Sequence, residues 1–400
     1  MQGNVDIQLA QRVTGIPLTT RIQEINELAT QVAADGTQVA YLTAGEPDFD
    51  TPAHIKDAAV AAIKDGYTHY TSNRGLPETR AAVAEKMKRE NGLDVDPVSE
   101  VLITNGGKHA LFIAMMSIID PGDEVILLEP YFGPFSTITK LAGGKPVPVH
   151  QVCEEGRFRP GKDEIENAIT DRTKALIFNS PTNPTGTVYR REELSMLGEL
   201  ACKHNLFLIA DEVYERITYD DHHHLSVAGL APIFRQRTII VNSLSKTYAM
   251  TGWRIGYLVA PPEIIDAVSF LNQNSARMAS AFVQRAAVEA LTGSQQPTVD
   301  MVREYDKRRQ LIVDGLNSIH GIECIAPEGA FYVFVDVSQF GLSSYEFAKH
   351  LVLQGRVATT PGDFFGPGGE GFLRLSFATD ANTIERGVAG IRAGVDRLSS

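Results

Sequence analysis

Between residues 101 and 260 the chain alternates short apolar runs, rich in β-branched residues, with segments of helical periodicity. This alternation strongly limits the folds open to it. Seven runs are candidates for strands: VLIT (101–104), EVILLEP (124–130), KPVPVH (145–150), KALIFNSP (174–181), LFLIAD (206–211), RTIIVNS (237–243) and RIGYLVA (254–260). Strands that alternate with helices form mainly parallel sheets with helices on both faces. The sequence therefore predicts an α/β fold whose large domain contains a mainly parallel, seven-stranded sheet.

The pattern changes after about residue 290. A long charged helix is predicted near 297–319, followed by strands at GIECIAP (321–327) and AFYVFVDV (330–337), a helix, a strand near LRLSFA (373–378) and a final helix. This order is typical of a smaller α+β domain. We expect an N-terminal segment (1–49), with a helix at 21–35, that packs with the small domain, a large domain (50–290) and a small C-terminal domain (291–400).

Charge and composition exclude several classes of partner. The 400 residues include 37 Lys and Arg and 49 Asp and Glu, which gives a formal net charge of −12. This balance argues against a nucleic-acid or anionic-membrane partner. The longest apolar run, ALFIAMMSII (110–119), is too short to span a membrane. The three cysteines form no CxxC pair, so we expect neither a disulfide framework nor a zinc site, and we expect a cytoplasmic protein.

One lysine has unusual neighbours. Lys246 lies in NSLSKTYAMTGWRIGY (242–257), between Ser243 and Ser245 on one side and Arg254 on the other. A cation at the start of a helix opposes the helix dipole, so an ordinary lysine is disfavoured there. Hydroxyl and guanidinium donors suit a phosphate dianion. A lysine beside a phosphate site suggests pyridoxal 5′-phosphate, whose aldehyde condenses with an amine.

Other polar residues follow predicted strands, and ligands of open parallel sheets bind at the carboxyl ends of strands. Gly106 and Gly107 open a helix, where they form either a plain turn or a phosphate cradle. Asp211 ends LFLIAD and needs a cationic partner, which is either a neighbouring side chain or a protonated heterocycle. Asn183 is held between two prolines in NSPTNPTG. Arg374, in FLRLSFA, either extends to the surface or clamps a substrate carboxylate.

Seven motifs together resemble the class I aminotransferases, fold-type-I enzymes that depend on pyridoxal phosphate, and most of all their bacterial aspartate and aromatic branch. In chain order the motifs are GEPDFDTP (45–52), YTSNRGLPETR (70–80), NGGKHAL (105–111), NSPTNPTG (179–186), ADEVYE (210–215), SLSKTYAMTGWRIGY (243–257) and FLRLSFA (372–378). The resemblance covers nearly the whole chain, from about residue 15. It implies a homodimer with shared active sites.

The resemblance also implies a role for each matching residue. The catalytic set is Lys246 as the Schiff-base lysine, Asp211 at the pyridinium nitrogen and Tyr214 at the ring hydroxyl. The cofactor would also be held by Gly106, Gly107, Lys108, Phe132, Asn183, Ser243, Ser245 and Arg254, with Tyr70 contributed by the partner subunit. The substrate would contact Gly45, Asn183, Arg374, Lys108 and Arg277.

The amino donor is less clearly indicated. Lys108 occupies the position where relatives can meet a distal carboxylate, so we expect aspartate or another acidic or aromatic donor, with a 2-oxo acid such as 2-oxoglutarate as acceptor. The alternative for Lys108 is a solvated or phosphate-facing lysine. Arg277 departs from the small residues usual in its segment, and either recognises a second carboxylate or bridges a dimer. Arg21 is a third candidate.

Some of the same motif residues would also be present in proteins with other functions. An alanine-type aminotransferase or a carbon–sulfur β-lyase would keep Lys246 and Asp211. A non-catalytic regulator that binds pyridoxal phosphate is disfavoured because no basic helix-turn-helix segment is present, and a dehydrogenase because no GxGxxG follows an N-terminal strand. The adjacent histidines 222–224 share no face of a helix or strand, so we predict no metal site there.

Overall fold

The computed structural model describes residues 8–17 and 19–398, so positions 1–7 and 18 of the predicted N-terminal segment, and the last two residues of the small domain, lie outside it. In the described part, the α-helices are α1 (Gln11–Thr14), α2 (Arg21–Ala33), α3 (Ala53–Lys64), α4 (Pro77–Asn91), α5 (Gly107–Ile118), α6 (Pro134–Leu141), α7 (Lys162–Ala168), α8 (Arg191–His204), α9 (Pro232–Arg235), α10 (Leu244–Thr247), α11 (Pro262–Asn274), α12 (Ala281–Thr292), α13 (Gln296–Asn317), α14 (Ser344–His350) and α15 (Ala381–Leu398). The strands of the same part are β1 (Ala40–Tyr41), β2 (Val101–Thr104), β3 (Glu124–Glu129), β4 (Lys145–His150), β5 (Val152–Glu154), β6 (Arg157–Arg159), β7 (Thr173–Asn179), β8 (Phe207–Asp211), β9 (Thr238–Ser243), β10 (Gly256–Val259), β11 (Tyr332–Asp336), β12 (Val357–Ala358), β13 (Thr360–Pro361) and β14 (Phe372–Ser376).

The seven predicted strands form one sheet, in the order β2-β10-β9-β8-β7-β3-β4. Strand β10 is antiparallel to both of its neighbours, and the other adjacent pairs are parallel. Side chains of successive residues go to opposite faces: Leu127 and Ile177 belong to one buried cluster, Ile126 and Leu176 to another. Both faces of the sheet are therefore covered, which explains why its strands read as continuous apolar runs.

A second, three-stranded sheet, which we call the C-terminal sheet, has the order β11-β14-β13 with antiparallel neighbours. Helix α2 begins with a capping box between Thr20 and Gln23, and it buries Ile25 and Ala29 in the same apolar cluster as strands β11 and β14. The N-terminal helix thus packs against the C-terminal part of the chain.

One sequence prediction is wrong. The segment GIECIAP (321–327) is not a strand; it contributes only an isolated bridge between Glu323 and Asp336. Its backbone is instead held by side chains, because Asn317 accepts a hydrogen bond from the Cys324 N–H at 2.8 Å and donates one to the Cys324 carbonyl at 3.0 Å. An apolar run alone does not distinguish a strand from a buried loop of this kind.

No helix in the part of the chain that the structure describes is long and apolar enough to cross a membrane.

Candidate active site

A cavity of about 720 Å³ opens at the carboxyl ends of the central strands. It is lined by segments that are far apart in the sequence: the start of α2, the loop after β1, the start of α5, the loops after β3 and β7, the ends of β8 and β9, and strands β11 and β14. Most of the predicted site residues face it: Gly45, Gly107, Lys108, Phe132, Asn183, Asp211, Tyr214, Ser243, Ser245, Lys246, Arg254 and Arg374.

Lys246 reaches the cavity from the first turn of α10. Strand β9 ends at Ser243, whose hydroxyl accepts a hydrogen bond from the Ser245 N–H at 3.1 Å and so begins the helix. The ammonium of Lys246 donates a hydrogen bond to the carbonyl of Gly45. Burial lowers the pKa of Lys246 to about 8, with the Glu46 carboxylate opposing that shift. An amine of this kind is close to the balance between its charged and nucleophilic forms near neutral pH.

Asp211 ends β8 with its carboxylate buried. It accepts a hydrogen bond from the Val213 N–H at 3.3 Å, and within the described residues it forms no ion pair. Burial raises the pKa of Asp211 to about 7, and the charge of Glu212 adds to that shift. The charge of Lys246 partly opposes that shift, but the two groups form no salt bridge in the described structure. The Asp211 carboxylate can therefore accept a bond from a cationic ligand, and its interpretation as half of a side-chain salt bridge is not supported.

An anion-binding cradle lies between the start of α5 and Arg254. Gly106 has φ +84°, and a Cβ placed there would lie 2.6 Å from Nη2 of Arg254. The absence of a side chain at Gly106 therefore leaves room for the guanidinium beside the N-terminus of α5. The hydroxyls of Ser243 and Ser245 are hydrogen-bonded at 2.8 Å and also face the cavity. Two hydroxyls, a guanidinium and helix N–H groups are suited to a phosphate.

Arg374 does not extend to the surface. Its side chain on β14 is buried, and burial lowers its pKa. The guanidinium donates hydrogen bonds to Asn183 Oδ1 at 3.1 Å, to the Thr43 carbonyl at 2.9 Å and to Thr360 Oγ1 at 3.2 Å. Its Nε has no hydrogen-bond partner in the described structure. A buried guanidinium with a free donor and no carboxylate partner is suited to a carboxylate ligand.

Sequence reasoning missed Tyr332, which is fully buried on β11. Its hydroxyl lies 2.9 Å from that of Tyr214, and Arg374 lies over its ring at 4.4 Å. Burial raises the pKa of both phenols, so they stay protonated. In the sequence, Tyr332 belongs to an apolar strand pattern and is not distinguishable from a core residue.

Two more cavity residues were missed. Glu46 accepts a hydrogen bond from the Thr251 hydroxyl at 2.6 Å, and its position directly after Gly45 in GEPDFDTP was a usable signal. Phe364 precedes the FLRLSFA motif by several residues, and no sequence signal distinguished it from its neighbour Phe365.

Four candidate residues do not line the cavity of the single chain: Gly106, which lies beside Arg254 as described above, and Tyr70, Arg277 and Arg21. Tyr70 is 77 % exposed, and the guanidinium of Arg277 lies over its ring at 4.1 Å, in a separate surface depression. Arg21 does not line the cavity; its side chain lies over the Tyr345 ring at 4.2 Å and pairs with Asp363 at 3.3 Å.

The three adjacent histidines do not act as a group. Nδ1 of His222 lies 2.9 Å from Nη1 of Arg190, whereas His224 Nε2 lies 3.3 Å from a carboxylate oxygen of Glu212. Glu212, Glu215 and His224 bring potential ligand atoms within 4.8 Å of one another. The ammonium of Lys86 already neutralises Glu215.

The chain is similar to known proteins over most of its length. The family model for aminotransferase class I and II matches residues 37–391. An aspartate aminotransferase from Pyrococcus abyssi is 42 % identical over 88 % of this chain and 91 % of its own length. Among solved structures, the Thermus thermophilus aspartate aminotransferase with maleate has a TM-score of 0.91 at 40 % identity, over 97 % of this chain and 100 % of that one. An aromatic aminotransferase from Pyrococcus horikoshii has a TM-score of 0.88 at 39 % identity, over 94 % and 99 %.

Proposed function

Because this chain belongs to the class I and II aminotransferases, we propose that it transfers the amino group of an acidic L-amino acid, aspartate first, to a 2-oxo acid such as 2-oxoglutarate. The chain is a pyridoxal 5′-phosphate-dependent aminotransferase of the aspartate and aromatic branch. The assignment of roles depends on one observation: Lys246, Asp211 and Arg374 line the same cavity.

The side chains present fit this cofactor. Asp211 is a buried acceptor without a cationic partner in the described chain, and Gly106 leaves space for Arg254 beside a helix N-terminus. When bound, the cofactor supplies an aldehyde that joins to an amine and a ring that withdraws electrons from the substrate Cα. We assign Lys246 as the residue that joins it. We assign the phosphate site to the backbone N–H groups of Gly107 and Lys108 at the start of α5 and to the side chains of Ser243, Ser245 and Arg254.

Each catalytic side chain then has a defined task. Asp211 holds a proton on the ring nitrogen, because a carboxylate buried beside a cation stabilises the charged form. The Tyr214 hydroxyl, oriented by Tyr332 at 2.9 Å, donates to the ring oxygen. Once the amine of the donor has displaced Lys246 from the cofactor, the freed Nζ would accept the proton from the Cα of the donor. The lowered pKa of this amine favours the neutral form that the step requires.

Substrate binding uses both sheets. Arg374 binds the α-carboxylate of the donor in a bidentate pair, and Asn183, already bonded to that guanidinium, contacts the same group. Asn183 is itself held by its N–H, which donates to Asn179 Oδ1 at 2.7 Å. Lys108 is our choice for the distal carboxylate, because it faces the cavity 5.9 Å from the Phe132 ring.

The test is a panel of half-reactions followed by the absorbance of the bound cofactor. Aspartate, glutamate, alanine, phenylalanine and tyrosine are each added to the holoenzyme, followed by 2-oxoglutarate. We expect aspartate to react best, and Lys108→Ala to raise KM for aspartate but not for alanine. Best activity with alanine and no effect of Lys108→Ala would refute the acidic donor. Release of pyruvate and ammonia from a cysteine conjugate without a keto-acid acceptor would indicate a β-lyase.

We also propose a homodimer in which Tyr70 completes the cofactor site of the partner subunit and Arg277 borders it. The exposure of Tyr70 and its separation from the cavity of its own chain support this proposal. Mixing the Lys246→Ala and Tyr70→Ala proteins provides a test. If Tyr70 acts across the interface, each mixed dimer contains one site with both native residues, so activity returns; if it acts within its own chain, no activity returns.

Two further assignments are proposals of the same kind. We propose the domains 1–49, 50–290 and 291–400, which limited proteolysis near residues 50 and 290 would test. We propose a cytoplasmic location, because Cys153, Cys202 and Cys324 are all unpaired. Cell fractionation would test the location.

A further inference from the structure

Apolar side chains line part of the cavity besides its polar groups, and we call this set the apolar wall. Its members are Ile22, Leu111, Phe132, Pro134 and Phe364. Phe364 is adjacent to the loop that carries Phe132, because a Cβ placed on Gly133 would lie 3.0 Å from its ring. Phe132 in turn lies 5.9 Å from Lys108, which is one helical turn from Leu111. The wall is therefore apolar, with one cation at its edge.

Phe364 lies on a turn that is fixed from two sides. The preceding residue, Asp363, pairs with Arg21 at 3.3 Å, which ties the turn to the start of α2. The following residue, Phe365, accepts a hydrogen bond from the Tyr131 N–H at 2.9 Å, which ties the turn to the loop after β3. The position of the Phe364 ring is therefore set by the same segments that form the rest of the wall.

The two adjacent phenylalanines have different environments. Phe365 is fully buried in a cluster with Phe158 and Phe334, whereas Phe364 packs against that cluster but is only half-buried and also lines the cavity. Their rings are nearly perpendicular, at 87°, with centroids 5.1 Å apart. The core therefore accounts for Phe365, and the free face of Phe364 is available to a ligand.

We infer that Phe364 determines specificity for donors with flat, apolar side chains. This inference rests on the proposed function. With the α-carboxylate at Arg374, an aromatic side chain packs against Phe364, while an acidic side chain pairs with Lys108 instead. Because aromatic pairs favour edge-to-face or offset contacts, an aromatic wall distinguishes a ring from a short carboxylate better than an aliphatic wall does.

The test compares phenylalanine with aspartate in the holoenzymes of Phe364→Ala and Phe364→Leu. We expect Phe364→Ala to lower kcat/KM about tenfold or more for phenylalanine and less than about threefold for aspartate, as for a lost hydrophobic contact in a specificity pocket. Phe364→Leu keeps the apolar volume without the ring, so an intermediate loss for phenylalanine is expected. Phe270→Ala removes a 69 % exposed phenylalanine outside the cavity and is the matched control.

A binding measurement without turnover accompanies the kinetics. We expect the dissociation constant of 3-phenylpropanoate to rise in Phe364→Ala and that of maleate to stay unchanged. Equal losses for both donors, no loss for either, or a wild-type enzyme that reacts with aspartate but not with phenylalanine would each overturn the inference while leaving the proposed function intact. A holoenzyme that reacts with no amino acid would overturn the proposed function itself.

Discussion

Nη1 of Arg374 lies 3.1 Å from Oδ1 of Asn183, although the two residues are 191 positions apart in the chain. Arg374 belongs to the C-terminal sheet, and Asn183 belongs to the loop that follows β7 of the large sheet. This hydrogen bond joins the two sheets at the point where we place the α-carboxylate of the substrate. Any relative movement of the sheets would therefore change the substrate site directly.

Replacing Arg374 with lysine would keep the charge but remove the planar fork. We expect kcat/KM for aspartate to fall about 10- to 100-fold, since a hydrogen bond to a charged group contributes about 1.5–3 kcal/mol. Steady-state kinetics and the dissociation constant of maleate would measure the loss. Arg303→Lys, at an exposed ion pair with Asp300, is the control. An unchanged KM and an unchanged maleate affinity in Arg374→Lys would contradict the assignment.

Lys246→Ala is expected to abolish turnover, with a loss of at least about 10²–10⁴-fold from proton transfer alone. Reduction with borohydride should trap the cofactor on the peptide that contains KTYAM in the wild type and leave no adduct in the variant. Lys307→Ala, at an exposed lysine of α13, should retain both activity and adduct. A Lys246→Ala enzyme that works at a near wild-type rate would refute the role.

Asp211→Asn should stabilise the cofactor-free protein in a pH-dependent way. The folded pKa is raised to about 7, whereas an unfolded aspartate releases its proton near about pH 4. Between these values the folded chain holds more protons, so the wild-type protein loses stability as pH rises, and asparagine avoids this loss. We expect the difference in unfolding free energy to be small at pH 4, to grow from there to pH 7, and to reach on the order of 1–4 kcal/mol at pH 8.

Chemical denaturation of the two apoproteins at several pH values would measure this difference. Asp50→Asn, at a carboxylate whose side chain is 99 % exposed, is the control and should show no such trend. In the holoenzyme we expect the opposite result, with the wild type more stable than Asp211→Asn, because a ring cation stabilises the ionised Asp211. A difference that does not vary with pH would show that Asp211 is not held protonated by burial.

Gly106→Ala should weaken cofactor binding about tenfold or more, because the added methyl group would displace Arg254 from the phosphate site. Gly122→Ala is a matched control: that residue also has positive φ, +96°, but no atom lies within 4 Å of the added carbon. Both variants carry the strain of a left-handed alanine, so only the first should change the cofactor dissociation constant. Equal changes in the two variants would assign the effect to strain.

Local patterns were sufficient to predict the large sheet. The seven apolar runs could be identified as strands because each is short and most are separated by helical segments, which is the pattern of a mainly parallel sheet with both faces covered. The same pattern placed Asp211 and Ser243 at strand ends and Asn183 in the loop after a strand. The segment 321–327 was misread because its backbone bonds go to the side chain of Asn317, a partner that periodicity does not reveal.

The amino-acid sequence by itself therefore determined the α/β core, the identity of the polar residues at its edge and, through motifs in order, the family. The tertiary structure decided which distant side chains meet: Arg374 with Asn183, Tyr332 with Tyr214, and Phe364 with the loop of Phe132. The physical reason is that strand and helix signals depend on residues close together in the chain. These contacts depend instead on how the two sheets and α2 pack against each other. That packing is specified only when the whole chain buries its apolar side chains.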